Sequence, residues 1–477
     1  SAWITRVEVV RKGEGRIPVQ VAVIAERDTA LVRASGLGER EWVEVETTSK
    51  PREVVIDPDV RTHDWNMLNN RKQLGWPAFK SVLPPPGTDF YFHPYFSTRS
   101  RRERLTVGVQ PTVWYNDAGG ITLGVRSRDD YLGRFEQNQA LITKSTGWGT
   151  DDGVEDIDFF LRARNPVFLR APNLSQTFDA FNLEGRYGAA ASVEWSRRDH
   201  LSFGPVRSHS VSLLWVATDD FHYLDSGFYD GVGIVEVQVG SGISNQSGKW
   251  ELSARSSVGG GLAYNSHGLA ASGRPDLNPF YFHGFVEGTA RHHLGHGLGF
   301  AARGYLGAGT GSDAAAKQRQ VYFQGSDPLA QLYNPFLRSR GALLVRPDFN
   351  YQSPGGAGVR GADPHLSETA IVALNIELEH TLLSRSSSHL FRRVSAALFS
   401  DLSEGIGSMS QAPPGGNVRF LGDAGIGLRA AHRIGDTDFV TRFDFPFYVS
   451  RPEVAQDQSA GDGKFEFRWV FSFEPEF

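Results

Sequence analysis

The C-terminal stretch GKFEFRWVFSFEPEF, residues 463–477, carries an aromatic residue at every second position from Phe465 to Phe473. Successive side chains of a β-strand point to opposite faces, so this stretch predicts a strand with one wholly aromatic face. The other face is largely charged or polar and holds Glu466, Arg468, Ser472 and Glu474. The chain closes on Phe477, in phase with the aromatic face, and such an ending is typical of outer-membrane barrels. We therefore interpret Phe473 and Phe477 as a C-terminal barrel signature.

The same alternation of apolar and polar residues recurs upstream. In one predicted strand Leu374, Ile376 and Leu378 face one way. The residues between and after them, Asn375, Glu377 and Glu379, face the other way. Charged side chains on an inward face need water or partners, which a polar lumen provides. A soluble β-sandwich, the alternative fold, would more often keep its charges on the outside. The pattern therefore predicts an all-β chain dominated by a transmembrane antiparallel β-barrel.

Fifteen segments show this strand pattern. They span residues 104–115, 119–127, 138–146, 156–164, 180–197, 205–218, 230–241, 248–260, 280–293, 297–310, 366–380, 392–402, 420–432, 437–449 and 463–477. Single-chain bacterial barrels usually have an even number of strands, so we expect about 16, with one strand missed or merged. The stretch from Gly311 to Asp363 is too long for a turn and predicts a functional loop folded into the lumen.

Composition narrows the possible functions. The chain has 477 residues, no cysteine, a net charge of -5 and a mean hydropathy of -0.32. No run of 18 apolar residues occurs, so the sequence predicts no transmembrane helix. A barrel remains compatible with this hydropathy, because its lipid-facing and lumen-facing residues alternate. The small net charge and the lack of a basic stripe argue against nucleic acid as a partner.

The first part of the chain has a different pattern. Segments Trp3–Val10, Arg16–Ala25, Thr29–Ala34, Glu41–Thr47 and Arg52–Ile56 read as short strands joined by ordinary turns. Residues 1–70 therefore predict a small immunoglobulin-like sandwich. We expect a linker over residues 71–103, with a stiff proline-rich stretch at 83–87, and the barrel over residues 104–477.

A glycine-rich stretch, residues 355–361, precedes the predicted strand at 366–380 and the segment Ala397-Leu398-Phe399-Ser400-Asp401. From about Val321 to Phe477 this order resembles the bacterial surface-antigen, BamA/TamA-type, outer-membrane barrels of 16 strands. The resemblance implies a long loop whose motif, Val359, Arg360 and Gly361, returns to the lumen, where the arginine meets Asp401 beside Phe399. Strand periodicity independently places Phe399 and Asp401 on one face. Ala362 departs from the family, which usually has Phe or Tyr there.

The N-terminus carries a second resemblance. The stretch from Val7 to Val19, and the stretch Val55-Ile56-Asp57-Pro58-Asp59 running on to Asn70, resemble the post-catalytic β-sandwich of aminopeptidase N-like zinc metallopeptidases. Some envelope members of that group continue into a C-terminal barrel. The resemblance implies that a peptidase domain precedes Ser1 and that the chain is a C-terminal fragment.

Catalytic motifs are missing from the sequence itself. A zinc peptidase of that kind needs H-E-x-x-H on a helix, and the nearest candidates, His292, His293 and His296, lie in a glycine-rich turn without the glutamate. Glu377 and Glu379 form a carboxylate pair, which we interpret as luminal charge facing Arg360 rather than as catalytic acids. No G-x-S-x-G occurs. We therefore expect neither a metal nor another cofactor, and whether the chain belongs to an enzyme stays open.

Three functions are compatible with these features. The leading one is an outer-membrane barrel that anchors a periplasmic peptidase-like domain. The alternatives are a BamA/TamA-type assembly or translocation barrel and, more weakly, a passive pore. An even strand count would bring both barrel ends to the periplasmic side, together with the N-terminal domain. Expected partners are outer-membrane lipid and lipopolysaccharide, which the cluster Arg99, Arg101, Arg102 and Arg104 could contact unless it is simply a solvated turn, and other envelope proteins.

Overall fold

The computed structural model describes the chain from Ala2 to Pro475, with gaps. The gaps are residues 13–14, 65, 75–87, 94–100, 102–103, 131–137, 151–152, 166–172, 198–203, 266–278, 311–314, 347, 385–390, 408–419, 435–436 and 457–462. The proline-rich linker at 83–87, Arg99, Arg102 and the C-terminal Phe477 lie outside the described residues. The described part is all-β apart from short 3-10 helices at Met67–Asn70, Phe221–Tyr223, Lys317–Arg319, Pro328–Gln331 and Pro452–Val454.

Six N-terminal strands form two small sheets. They are β1 (Trp3–Val10), β2 (Val19–Ala25), β3 (Thr29–Ala34), β4 (Arg40–Thr47), β5 (Pro51–Ile56) and β6 (Arg71–Gln73). β1 pairs with β4, and the second sheet has the order β3-β2-β5-β6. In β4, Val43 and Val45 are buried while Glu44 and Glu46 are exposed, as a half-buried strand requires. Valines from both sheets, including Val21 and Val43, meet in one hydrophobic cluster.

Seventeen strands form one large sheet. They are β7 (Asp89–Phe92), β8 (Thr106–Asn116), β9 (Gly120–Asp130), β10 (Gln139–Ser145), β11 (Ile157–Asn165), β12 (Leu174–Leu183), β13 (Arg186–Arg197), β14 (Val206–Thr218), β15 (Val232–Ser247), β16 (Trp250–Asn265), β17 (Phe280–Gly295), β18 (Leu298–Gly309), β21 (Ala370–Ser384), β22 (Arg393–Ile406), β23 (Phe420–Ile434), β24 (Thr437–Val449) and β25 (Val470–Pro475). The short strands β19 (Val321–Tyr322) and β20 (Ser367–Glu368) pair with each other outside it.

In the order of strand pairing, the large sheet runs from β7 through β8, β9 and β10 and on to β25. Sixteen strands pair antiparallel in chain order, from β8 to β25. β7 instead pairs parallel to β8, from Asp89 opposite Thr106 to Phe92 opposite Val109. Among the described residues no register pair is defined between β7 and β25.

Two of the predicted strands differ from the structure. The predicted strand 180–197 is wrong as a single strand, because the chain turns back at Glu184 and Gly185, which have positive φ of 46° and 77°. The predicted strand 463–477 begins only at Val470, since residues 463–469 make one isolated bridge, from Phe465 to Tyr448. The four-residue strand β7 was not predicted, and it lies within the residues expected to be linker.

The large sheet has an apolar outer face and a polar inner face. In β22, Phe399 and Asp401 are buried on the inner face, while Leu398 and Leu402 are exposed on the outer face. Along β14, Val211, Leu213 and Trp215 are likewise exposed and alternate with inward-facing Ser210 and Ser212. Within the described part of the chain, no helix is long and apolar enough to span a membrane.

The residues between β18 and β21 make up a long connection, and we call its described residues, 315–346 and 348–369, the inner segment. It leaves the sheet at the same end as the β8–β9 turn, where the Asp117 amide donates to the Arg340 carbonyl oxygen at 3.0 Å. We call this end the loop end, and the other the opposite end. Val359, Ala357 and Ala362 of the inner segment are fully buried and pack with inner-face residues such as Ile371.

Candidate functional site

A glycine turn brings the predicted motif of the inner segment against the wall. Gly355, Gly356 and Gly358 all have positive φ, a conformation that side chains other than glycine rarely adopt. A Cβ atom on Gly356 would lie 1.9 Å from the Gly325 carbonyl oxygen. The turn therefore depends on glycine, and it directs Arg360 toward the inner face of β21 to β24.

Arg360 is buried among three carboxylates. Its guanidinium lies 3.1 Å from Glu377, 3.3 Å from Asp401 and 3.4 Å from Asp444, and its backbone amide donates to Asp401 at 3.2 Å. The guanidinium also lies over the Phe399 ring, 3.9 Å from its centroid, in cation–π geometry. Only 6% of the arginine side chain is exposed, so the three carboxylates are its principal source of compensating charge.

Two further arginines balance the charge of this arginine–carboxylate cluster. Arg429 donates to Glu377 at 2.5 Å and to Asp444 at 3.1 Å, and Arg442 donates to Asp444 at 3.1 Å. Arg442 and Asp444 alternate with aromatic residues along β24, and the sequence gives no sign of their partners. Replacing such a buried charge network as a whole by apolar residues changes the stability of a protein little. Removing a single member is costly, because it leaves an uncompensated buried charge.

Other predicted residues occupy different places. Glu379 does not reach Arg360: it is two residues further along β21, and its carboxylate lies 4.0 Å from Arg393 instead. Two residues of strand span about 6.6 Å, which is why the predicted pairing of both glutamates with Arg360 is wrong for Glu379. Gly361 donates its amide to Asp423 at 2.5 Å. Phe473 lies on the outer face against Phe439, with ring centroids 4.8 Å apart.

A second contact fixes the inner segment to β15 and β17. Arg319 lies 2.7 Å from Glu236 and 2.9 Å from Asp327. Glu236 is fully buried and also accepts hydrogen bonds from Tyr281 at 2.7 Å and from His283 at 3.0 Å. Three polar groups thus converge on one wall carboxylate, and one of them, Arg319, belongs to the inner segment.

A third contact joins the inner segment to the first half of the sheet. Arg338 donates to Glu184, in the β12–β13 turn, at 3.0 Å, and Ser339 donates to the same carboxylate. Trp114 of β8 donates its indole N–H to Glu184 at 2.6 Å. Arg186 donates to the Arg338 carbonyl oxygen at 2.7 Å. The sequence carried no motif for this contact, because its partners lie more than 150 residues apart.

The wall also holds the glycine turn directly. Arg303 of β18 donates to the Gly356 carbonyl oxygen at 2.6 Å and to the side chain of Asn375 at 3.0 Å. Asn375 in turn donates to the Gly358 carbonyl oxygen at 3.2 Å and to Asp401 at 3.0 Å. Together with the contacts of Arg319 and Arg338, these hydrogen bonds attach the inner segment to the sheet at widely separated strands.

His365 connects the inner segment to the β14–β15 connection at the loop end. Its Nε2 lies 3.1 Å from Asp225 and its Nδ1 lies 3.3 Å from Asp363. Burial lowers the pKa of His365, but the hydrogen bonds and charges of the two aspartates outweigh burial and raise the pKa to about 9. The imidazole is therefore protonated at neutral pH and bridges two carboxylates.

Metal-binding geometry is missing from the residues that the structure describes. No group of three or more His, Asp or Glu there could hold a metal ion. His292 and His293 are neighbours on β17 and face opposite ways: His292 packs on Trp250 at 4.2 Å, and His293 lies 3.5 Å from Glu251. His296 lies in the following turn with a φ of 53°. The arrangement can hold a segment in place.

Structural comparison places outer-membrane β-barrels among the neighbours of the chain. BamA from Haemophilus ducreyi lacking POTRA domains 1-3 aligns with a TM-score of 0.40 and 15% identity, over 79% of this chain and 71% of that chain. The siderophore receptor PirA from Pseudomonas aeruginosa gives 0.38 and 12%, over 73% and 66%. Pseudomonas aeruginosa OccK11 (OpdR) gives 0.34 and 8%, over 100% and 96%.

These likenesses are remote, and none of the neighbours' activities transfers to the chain. No family model matches it, and no curated protein matches its sequence. The comparisons support neither the resemblance of the N-terminal residues to aminopeptidase N-like proteins nor membership of the surface-antigen family.

Replacing the central arginine should loosen the inner segment. We expect Arg360→Ala to destabilise the folded chain in detergent by about 3–5 kcal/mol, because three buried carboxylates lose a partner. Heat unfolding and protease resistance of the inner segment measure the effect. Arg433→Ala is the control, because Arg433 is 43% exposed and its ion pair with Asp438 should contribute less than about 1 kcal/mol. Wild-type stability of Arg360→Ala would show that this arginine does not hold the segment.

The His365 bridge should give a pH dependence. A histidine whose folded pKa is raised from about 6.5 stabilises fully below pH 6.5 and loses that contribution as pH rises through about 9. We expect the melting temperature to fall between pH 7 and 10 and His365→Gln to flatten this fall. His222→Gln, at an exposed histidine of the same connection, should keep the wild-type profile. Identical profiles for wild type and His365→Gln would refute the bridge.

Proposed function

We propose that the chain is an outer-membrane β-barrel whose lumen is closed by the inner segment and which anchors the N-terminal sandwich to the membrane. The observation that carries the proposal is the division of the large sheet into two faces. Apolar side chains stand exposed on the outer face, while buried ion pairs that include Arg360 and Arg319 lie on the inner face.

The outer face fits lipid better than water. Its exposed apolar residues occur on nearly every strand, for example Val113, Ile142, Val237, Leu306 and Leu398. Monomeric soluble proteins rarely expose contiguous apolar patches larger than a few hundred Å². A membrane-spanning barrel needs such a band on its outside and a polar interior, with backbone hydrogen bonds satisfied between strands.

The fixed inner segment favours an anchor over a passive pore. Its arginines at 319, 338 and 360 each bind carboxylates on a different part of the wall. Breaking such contacts exposes buried charge, which keeps the segment in the lumen. The sandwich joins the barrel through β7 and β8 at the opposite end, which we assign to the periplasmic side. A peptidase domain preceding Ser1, implied by the second resemblance, is part of this proposal.

A second function, assembly or translocation of another protein, is favoured by one observation at the junction of β8 and β25. These two strands are not paired with each other in the described residues, because β7 lies against the first half of β8. On β25, Phe471 pairs instead with Asn350 and Gln352 of the inner segment, through hydrogen bonds of 2.8 Å. A wall completed by separate segments is easier to open than one with continuous strand pairing.

Charge on the outer face should block membrane insertion. We expect Leu213→Lys to destabilise the barrel in bilayers by about 2–4 kcal/mol, because the side chain faces lipid near mid-strand. The matched control is Ser212→Lys, the preceding residue on the inner face, which should insert like the wild type. Folding into lipid vesicles, followed by heat-modifiable gel migration, measures both variants. Equal loss in the two variants would contradict a lipid-facing outer wall.

The sidedness of the anchor can be tested with single cysteines, because the chain has none of its own. A membrane-impermeant maleimide added to intact cells should label Leu343→Cys, in the exposed part of the inner segment at the loop end. It should not label Glu39→Cys, in an exposed turn of the sandwich, until the outer membrane is permeabilised. Labelling of Glu39→Cys on intact cells would place the sandwich outside and refute the periplasmic assignment.

A further inference from the structure

Two arginines face each other on the outer wall at the opposite end. Arg197, the last residue of β13, lies directly across from Arg207 at the start of β14. Both side chains are exposed and in phase with the outward-facing Val193 and Val211. They therefore lie at the edge of the apolar band, where a lipid bilayer changes from acyl chains to headgroups.

The arginine pair lacks a counter-charge within the described part of the protein. Neither Arg197 nor Arg207 has a carboxylate at ion-pair distance there. Like charges directly opposite each other on neighbouring strands are destabilising. On the same outer face at the loop end, Lys144 does have a partner, Glu155, at 3.0 Å. Within that part of the chain the two positive charges therefore stay unbalanced, which favours binding of an anion.

An aromatic pair lies beside the two arginines, on the side of the apolar band. Trp195 lies across from His209, and the two rings stack with centroids 5.3 Å apart and an interplanar angle of 18°. His209 Nδ1 lies 3.0 Å from the Ser241 hydroxyl, which holds the imidazole in place. Outward His292 packs on Trp250, and outward His432 on Phe439, at this same end. Such a girdle is typical of the membrane–water interface.

The wall next to the arginines is shaped for an apolar chain. Ile243 lies across from Arg207 on β15, and it begins a groove of about 540 Å³ on the outer wall. Its floor is made of small residues from three strands, Ala254, Gly288, Ala302 and Gly304. A polar anchor thus adjoins an apolar furrow on one continuous surface.

We propose that Arg197 and Arg207 bind the phosphate of an anionic glycerophospholipid whose acyl chain lies along the adjoining groove. Arginine guanidinium groups match the geometry of a phosphate, with two parallel N–H donors. The lipid belongs to the leaflet at the opposite end of the barrel. The inference rests on the proposed function, because it requires the outer face to contact a bilayer.

The test compares two lipids that differ only in headgroup charge. The purified chain in a neutral detergent is titrated with dioleoyl phosphatidylglycerol or dioleoyl phosphatidylcholine, and bound lipid is counted by native mass spectrometry. We expect the wild type to prefer phosphatidylglycerol. The double variant Arg197→Gln/Arg207→Gln should lose roughly thirtyfold in phosphatidylglycerol affinity, since each basic residue near an anionic headgroup contributes about fivefold. Lys144→Gln is the matched control and should bind as the wild type does.

Several outcomes would overturn the proposal. Unchanged phosphatidylglycerol affinity in the double variant, or equal binding of both lipids by the wild type, would remove the arginines from lipid recognition. Displacement of phosphatidylglycerol by inorganic phosphate would assign the site to a free anion, and preference for lipid A would assign it to the other leaflet. Insertion of the same proteins into vesicles is scored separately: failure of the wild type to insert refutes the barrel proposal, whereas normal insertion without lipid preference refutes only this one.

Discussion

Burying a guanidinium group is costly unless its charge is compensated, and at Arg360 the need for compensating carboxylates organises the rest of the molecule. The arginine is carried into the interior by a turn that only glycines allow. Its partners Glu377, Asp401 and Asp444 come from three different strands, so their register has to be correct before the charges can be balanced. The inner segment and the wall therefore stabilise each other, and neither arrangement is expected to persist alone.

The two faces of the large sheet differ in polarity, and this difference links the packing of the sheet to its proposed role. Inward side chains form buried ion pairs with the inner segment, and outward side chains present an apolar band edged by His rings that pack on Trp or Phe rings. A pore would need an unobstructed interior, and here Arg319, Arg338 and Arg360 hold a segment across it. An anchor, the role proposed here, needs only a stable apolar band and a tether. At the junction of β8 and β25 the wall is completed by β7 and by residues of the inner segment.

Strand positions could be predicted because a period of two residues is a local signal. The signal failed where the turn was short and lacked a strong turn sequence, at Glu184 and Gly185, and where the strand was only four residues long, as in β7. The meeting of Arg360 with Asp401 and Phe399 was accessible through a family resemblance and strand periodicity. The contacts of Arg319 with Glu236 and of Arg338 with Glu184 were not, because long-range register depends on the whole sheet. Glu379 shares a strand face with Glu377 but lies one step too far along the strand to reach Arg360.

Hydrogen exchange of the inner segment tests the central claim most directly. Val359 and Ala357 donate their amides to the Phe323 and Tyr322 carbonyl oxygens, and the amides of Arg360 and Gly361 donate to wall carboxylates. In the chain reconstituted in a lipid bilayer, peptides covering residues 355–362 should exchange as slowly as peptides from the wall strand β22. Exchange of these residues within seconds, with β22 still protected, would show that the segment is not held inside the barrel and would contradict the account.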